Sequence, residues 1–187
     1  GAGEALFSLA SAFTGDQGLD MALAHTQLAL SATPNSDVAR TLLGDVYEDM
    51  QRYEDAVAAY DLVAETSPLR ANAEIEIAVN LQRLERGPEG LTRLNALIAR
   101  EPKNFEAVFT LGNLQRVADN HVGAVKAYTR AIEMTPGITK DHWSLFYYRG
   151  IAYERLKQWP NAEADFRKAL ALDPDQALVL NYLGYSM

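Results

Sequence analysis

Three histidines, His25, His121 and His142, are the first residues to weigh for catalysis or metal binding. No two of them lie four positions apart, the spacing that puts two ligands on one helical face, so a metal site is not indicated. Cysteine is absent, which excludes disulfides, thiolate metal sites and a cysteine nucleophile. The stretch GDQGLD at 15–20 has Asp and Gly but not the spacing of a calcium loop, and reads as a turn. The stretch DPD at 173–175 reads as a turn and helix cap, with Asp175 able to accept backbone N–H bonds. No glycine-rich loop follows a strand pattern. These residues form no catalytic set, so the reading is a non-enzyme without cofactor or metal. Two groups could instead recognise a partner. Asp45, Glu48 and Asp49 stand at i, i+3 and i+4, an acidic edge if the segment is helical. Phe109, Tyr147, Tyr148, Ile151, Tyr182 and Tyr185, with Asn113, Arg116 and Asn181 among them, would make an aromatic wall of the kind that suits protein partners.

The elements that must hold these groups are set by a repeat. Prolines stand at 34, 68, 102 and 136, with 34 residues between each and the next, and Pro174 follows 38 later. Each ends a helical pattern, as a residue that cannot continue a helix should. Gly44, Ala78, Gly112 and Gly184 lie ten after a proline. Gly150 lies 14 after Pro136, which places a four-residue insertion in GITKDH. A second small series is Ala22, Ala56, Gly90, Ala124 and Ala162. Glycine inside a helix costs roughly 1 kcal/mol against alanine, so its recurrence needs a packing reason. The expectation is that the two small series face each other within each helix pair. Large residues keep step at i, i+3 and i+4, among them Tyr47, Tyr153, Tyr60, Tyr128 and Phe166, and read as core. The spacing predicts first helices near 3–14, 36–50, 70–84, 104–118 and 142–156. Second helices follow near 18–31, 53–66, 88–100, 121–134 and 160–172, and a last helix spans 175–187. Pro88 and Pro160 fall in the first turn of second helices, where proline is tolerated.

This pattern resembles the tetratricopeptide repeat family over nearly the whole chain. LGDVYEDMQRYEDAVAAYDLVAETSP and RGIAYERLKQWPNAEADFRKALALDP carry it most strongly, and IAVNLQRLERGPEGLTRLNALIAREP is the most divergent copy. The resemblance implies an all-α, right-handed solenoid of antiparallel helix pairs. It would be a single array over 1–187, with repeats at 3–34, 37–68, 71–102, 105–136 and 143–174 and the first helix of a sixth at 175–187. It also implies protein or peptide binding in a concave groove lined by first helices, where the acidic edge and the aromatic wall would lie. The expected ligand is an extended or helical peptide with one basic and one apolar end. Family members that clamp a terminal carboxylate use Lys, Asn and Arg at early groove positions; Phe7, Ser11 and Leu42 stand there, so that clamp is absent. Arg40 and Glu74 occupy slots where the family usually has a bulky apolar residue, and are expected to pair across neighbouring repeats. The alternative reading is a non-catalytic scaffold segment of a larger enzyme or of a secretion or envelope assembly. In style the repeats resemble bacterial arrays, which serve both cytoplasm and periplasm.

The chain has 187 residues and a formal charge of −8. The deficit lies in residues 1–68, with eleven acids against two bases, while 69–136 hold eight against nine and 137–187 six against six. Nucleic-acid binding needs phosphate neutralisation by Lys and Arg, which this balance opposes. No stretch is long and apolar enough to span a membrane. The start at Gly1 rather than Met suggests a natural N-terminus further upstream. The closing segment PDQALVLNYLGYSM is apolar nearly all round, which a helix with one exposed side should not be. It reads as a helix cut within a longer array, with an uncovered face around Val179, Leu183 and Met187 for another chain, as in a homodimer.

Overall fold

The computed structural model describes residues 16–186, as ten α-helices, one 3-10 turn and no strand. The predicted first helix at 3–14 lies outside the described residues, as does Met187. The helices are α1 (Asp16–Ala32), α2 (Asp37–Asp49), α3 (Tyr53–Asp61), α4 (Arg70–Arg83), α5 (Gly87–Arg100), α6 (Phe105–Val117), α7 (His121–Glu133), α8 (Trp143–Arg155), α9 (Trp159–Leu172) and α10 (Ala177–Ser186). The all-α class read from the periodicity is the class observed. The chain forms two compact units, one ending at Arg93 and one beginning at Leu94. In the first, α1, α2, α3 and α4 pack on each other in chain order; in the second, α6 to α10 do the same.

Local signals set the helix ends. Ser36, Asn104 and Asn120 cap α2, α6 and α7, each accepting the backbone N–H three residues on. Pro88 and Pro160 are the second residues of α5 and α9. The turn inside each of the four fully described helix pairs carries one left-handed residue: Gln51 (φ 58), Glu85 (φ 61), Asp119 (φ 55) and Lys157 (φ 59). Glycine is the usual occupant of such a site, so nothing in these residue types announced it. Around each, two backbone bonds close the preceding helix. At Gln51 these are Arg52 N–H to the Tyr47 carbonyl (2.8 Å) and Met50 N–H to Val46 (3.1 Å). The same pair of bonds recurs at the other three turns. The steps between these residues, 34, 34 and 38, repeat those of the prolines.

The small residues work differently from the expectation. Gly44, Gly112 and Gly150 each lie under an aromatic ring of the following helix, not against its small residue. A Cβ on Gly112 would stand 2.6 Å from Tyr128, one on Gly150 would stand 2.7 Å from Phe166, and one on Gly44 would overlap Tyr60. The ring is large and flat, so only a bare backbone lets the two helices close on it. Gly90 alone among these meets the other small slot, since its Cβ would lie 2.6 Å from the Ala78 carbonyl oxygen. Alanines of the second helices serve the next interface instead. Ala56 and Tyr60 of α3, with Val63, pack on Ala73, Ile77 and Leu81 of α4, and Ala124 and Tyr128 of α7 pack on Ala152 of α8. Burying an aromatic of this size contributes on the order of 2 kcal/mol.

Two further expectations change. Helix α3 stops at Asp61, short of the predicted 66. Its last carbonyls are taken by arginines: Arg40 Nη1 donates to Leu62 O (2.7 Å), and Arg70 Nη1 donates to Val63 O (2.7 Å) and Asp61 O (3.2 Å). Asp37 Oδ1 accepts the Ala64 N–H (3.1 Å). The expected Arg40–Glu74 pair does not form. Arg40 is engaged by Asp37 and by carbonyl oxygens, and Glu74 by Arg70 and Arg93. The inserted GITKDH folds as a 3-10 turn, Lys140–His142, capped by Thr139, and Lys140 Nζ reaches the buried Asp173 (3.2 Å).

Candidate functional site

In the first unit the acidic edge sits on α2, which packs on α3 and reaches α4 through the Glu48 side chain. Asp45 Oδ1 accepts the Tyr60 hydroxyl (2.6 Å), and Glu48 Oε1 accepts both that hydroxyl (3.1 Å) and Asn80 Nδ2 (2.6 Å). Arg83 Nη1 closes the network on Glu48 Oε2 (2.8 Å). Two of the three acids, the exposed Asp45 and the half-buried Glu48, are therefore already engaged by partners within the chain, and Asp49 is exposed. Desolvation pushes the Asp45 carboxyl above its ordinary value; the Tyr60 bond opposes this, and the charges of Glu48 and Asp49 add to it. Burial, then the bond to Asp45, pushes the Tyr60 hydroxyl well above the usual tyrosine range.

In the second unit α6 and α8 place an aromatic cluster on a partly open face. Phe109 lies 5.9 Å from Tyr128 and 6.3 Å from Tyr148 between ring centroids, and Tyr128 stacks on Tyr148 at 6.2 Å. Phe109 and Tyr148 are half-buried, Tyr128 fully buried. The Tyr128 hydroxyl donates to Asn113 Oδ1 (2.8 Å) and receives Arg116 Nε (3.4 Å). Burial pushes this hydroxyl up to about 12, against the pull of Arg116. The Arg116 guanidinium lies 4.9 Å from the Tyr148 ring centre, within the range of a cation–π contact. Beside it opens a cleft of about 550 Å³ lined by Arg116, Val117, Asp119, His121, Ile151 and Arg155. The His121 Nδ1 in its wall is buried without a hydrogen-bond partner.

Of the other residues expected on the wall, Tyr147 is buried. It packs on Trp143 (5.7 Å), Phe166 (6.2 Å) and the edge of Tyr182 (6.2 Å), so it belongs to the core between α8, α9 and α10. Tyr182 is half-buried against Phe166 (5.1 Å) and donates to Glu154 Oε2 (3.3 Å). The side chains of Asn181 and Tyr185 lie outside the described residues. On α10, Val179 is fully buried, which removes it from the expected uncovered face; the exposed apolar residues there are Leu178 and Leu180. The side chain of Leu183 lies outside the described residues, as does Met187. The repeat spacing placed Phe109, Asn113, Arg116, Ile151 and Arg155 on first-helix faces, and His121 was weighed only as a lone histidine; that Val117, Asp119 and His121 line the same cleft appears only in the structure.

Fold and site together define a helical-repeat scaffold. The tetratricopeptide repeat family matches residues 39–68, 75–138 and 143–176. The chain belongs to this family, whose repeats act as protein–protein interaction scaffolds. Among relatives, human protein O-mannosyl-transferase TMTC1 is 26% identical over 135 residues, 72% of this chain and 15% of that protein. The UDP-N-acetylglucosamine–peptide N-acetylglucosaminyltransferase of Giardia intestinalis is 32% identical over 87 residues, 46% of this chain and 5% of that protein. This chain thus spans a small part of either. Among solved structures, PilW, a type IV pilus biogenesis factor, has a TM-score of 0.80 at 17% identity, covering 96% of this chain and 81% of its own. YrrB, described as a TPR protein with an unusual peptide-binding site, has 0.71 at 22%, covering 96% and 88%. MamA has 0.71 at 23%, covering 86% and 92%. At these identities they show the fold alone. Among the described residues no helix is long and apolar enough to cross a membrane.

Proposed function

We propose that the chain docks a segment of a partner protein on the first-helix faces of its repeats, and that the open face of α6 and α8 carries most of the contact. The observation that carries this is the half-buried aromatic pair Phe109 and Tyr148 standing beside the open cleft that Ile151 lines. Rigid aromatics on a partly open face supply large contact area at little entropic cost. Asn113 and Arg116 are held in place by Tyr128, so their polar groups are positioned before a ligand arrives. The acidic edge on α2 contributes less, because Asp45 and Glu48 already have partners. A photo-crosslinker placed at Ile151 should trap a partner, and Tyr148→Ala should lower that yield about tenfold while the helical signal stays intact, as loss of a central anchor does. Unchanged trapping would remove the proposal.

A second reading is a non-catalytic segment of a larger enzyme. It is favoured by the two transferases of which the chain spans 15% and 5%. Adding the purified chain to a peptide glycosylation assay of such an enzyme should then compete for substrate and slow the reaction; no competition counts against it.

A further inference from the structure

The repeat lets one slot be compared between the two units. Counting from the preceding proline, Glu48 is the fourteenth residue of its repeat and Arg83 the fifteenth of the next. They form an ion pair at 2.8 Å. In the second unit Arg116 is the fourteenth residue after Pro102, and Arg155 takes the fifteenth slot of the following repeat once the four inserted residues are discounted. The tyrosine anchor is shared as well: Tyr60 holds Asp45 and Glu48, and Tyr128 holds Asn113 and Arg116. The repeat slots are the same and the sign is reversed at one member only. Where the first unit has an acid facing a base, the second has two bases lining one cleft.

Neither cation is neutralised as Glu48 is. The Arg116 guanidinium rests on the Tyr148 ring, and no acid pairs with it among the described residues. Among the described residues the acid that meets Arg155 is its chain neighbour Glu154, at 3.5 Å, and the Arg155 side chain is 59% exposed. The cleft's one acid, Asp119, is 93% exposed and lies 3.7 Å from His121. Val117, 53% exposed, and Ile151 supply an apolar wall beside the two cations.

We infer that this cleft takes an acidic side chain of the docked segment, a carboxylate set between Arg116 and Arg155, with an apolar neighbour against Ile151 and Val117. The missing anion of the slot comes from the ligand. This rests on the docking reading above and gives that ligand a sign opposite to the basic end expected from the sequence. Like charges lining one cleft raise the affinity for an anion between them, and two guanidinium groups offer the forked donors that a carboxylate fits.

The test uses the full chain and three labelled peptides, alternating Leu with Asp, Asn or Lys. The Leu/Asp peptide should bind at least about tenfold tighter than Leu/Asn, with the Lys peptide weakest, and added salt should shrink the gap. Arg155→Glu should abolish that preference and raise the urea midpoint, because it rebuilds with Arg116 the pair seen between Glu48 and Arg83. Arg116→Glu should also abolish the preference, with Arg155 as the internal partner. Equal binding of the Asp and Asn peptides overturns the inference and leaves docking standing. An unmoved or lowered midpoint in Arg155→Glu also overturns it, since the two slots then do not face each other. If no peptide binds, the inference falls; if Tyr148→Ala also leaves partner trapping unchanged, the docking reading falls with it.

Discussion

Asp45 shows how a single residue can be placed against its own ionisation. Its carboxyl is pushed above the ordinary 3.8, chiefly by desolvation, while the Tyr60 hydroxyl pulls the other way. A carboxyl whose folded value is raised adds stability when protonated. That contribution is complete below the unfolded value and is lost as pH rises through the folded one. At neutral pH the charged Asp45 therefore works against folding. Asp45→Asn keeps an oxygen for the Tyr60 hydroxyl and removes the charge. It should be more stable than the parent at pH 7 in urea unfolding, and the gap should close as pH falls below 3.8. A gap that widens on acidification would contradict the assignment. Asp37 is the opposite case: bonds from the Ala64 N–H and Ser67 hold its carboxyl below 3.8, so its contribution disappears only in strong acid.

At the scale of elements, the turns and the helix ends are where tertiary partners decide. Glu85 is exposed and sits at φ 61 between α4 and α5. The left-handed region costs a residue with a Cβ roughly 1 kcal/mol, and glycine avoids that cost. Glu85→Gly should thus stabilise the chain by about 1 kcal/mol, less what the more flexible unfolded chain takes back; thermal and urea midpoints read it. The end of α3 is held by Arg70, which is buried and meets Glu74, Glu65 and the carbonyls of Asp61 and Val63. Arg70→Ala leaves the buried Glu74 with Arg93 alone and strands those carbonyls. Removing one partner of a buried pair costs about 3–5 kcal/mol. The loss should appear in urea unfolding and as faster amide exchange at 61–64. Arg70→Lys should recover only part, since an ammonium cannot fork between a carboxylate and two carbonyls.

For the whole molecule, the charge balance and the stacking order set what it can meet. A formal charge of −8, concentrated in the first 68 residues, repels phosphate. Duplex or single-stranded nucleic acid should give no mobility shift with the full chain at low salt; a shift that fades as salt rises would overturn that exclusion. Stacking in chain order within each unit makes stability a sum of neighbour interfaces. Within each described unit, Tyr60, Tyr128 and Phe166 of the second helices fill the contacts with the glycines of the first.

The repeat step, the all-α class and, among the described residues, nearly every helix boundary were legible in the sequence. They depend on proline positions and on apolar spacing at i, i+3 and i+4, which are properties of the chain within one turn or one repeat. Among the described residues the largest departure, the end of α3, depends on Arg40 and Arg70 capturing carbonyls from outside the helix. The site was legible only as a list of candidates. Periodicity placed Phe109, Asn113 and Arg116 on a helix face, but it could not say that Trp143, Phe166 and Tyr182 would close over Tyr147. It grouped Asp45, Glu48 and Asp49 as an acidic edge, yet Glu48 is neutralised by Arg83, 35 residues away. Local spacing determines which way a side chain leaves its helix. What it meets is decided by the neighbouring repeat, and so the tertiary structure alone tied two members of an acidic edge into a hydrogen-bonded network and left two arginines on one cleft.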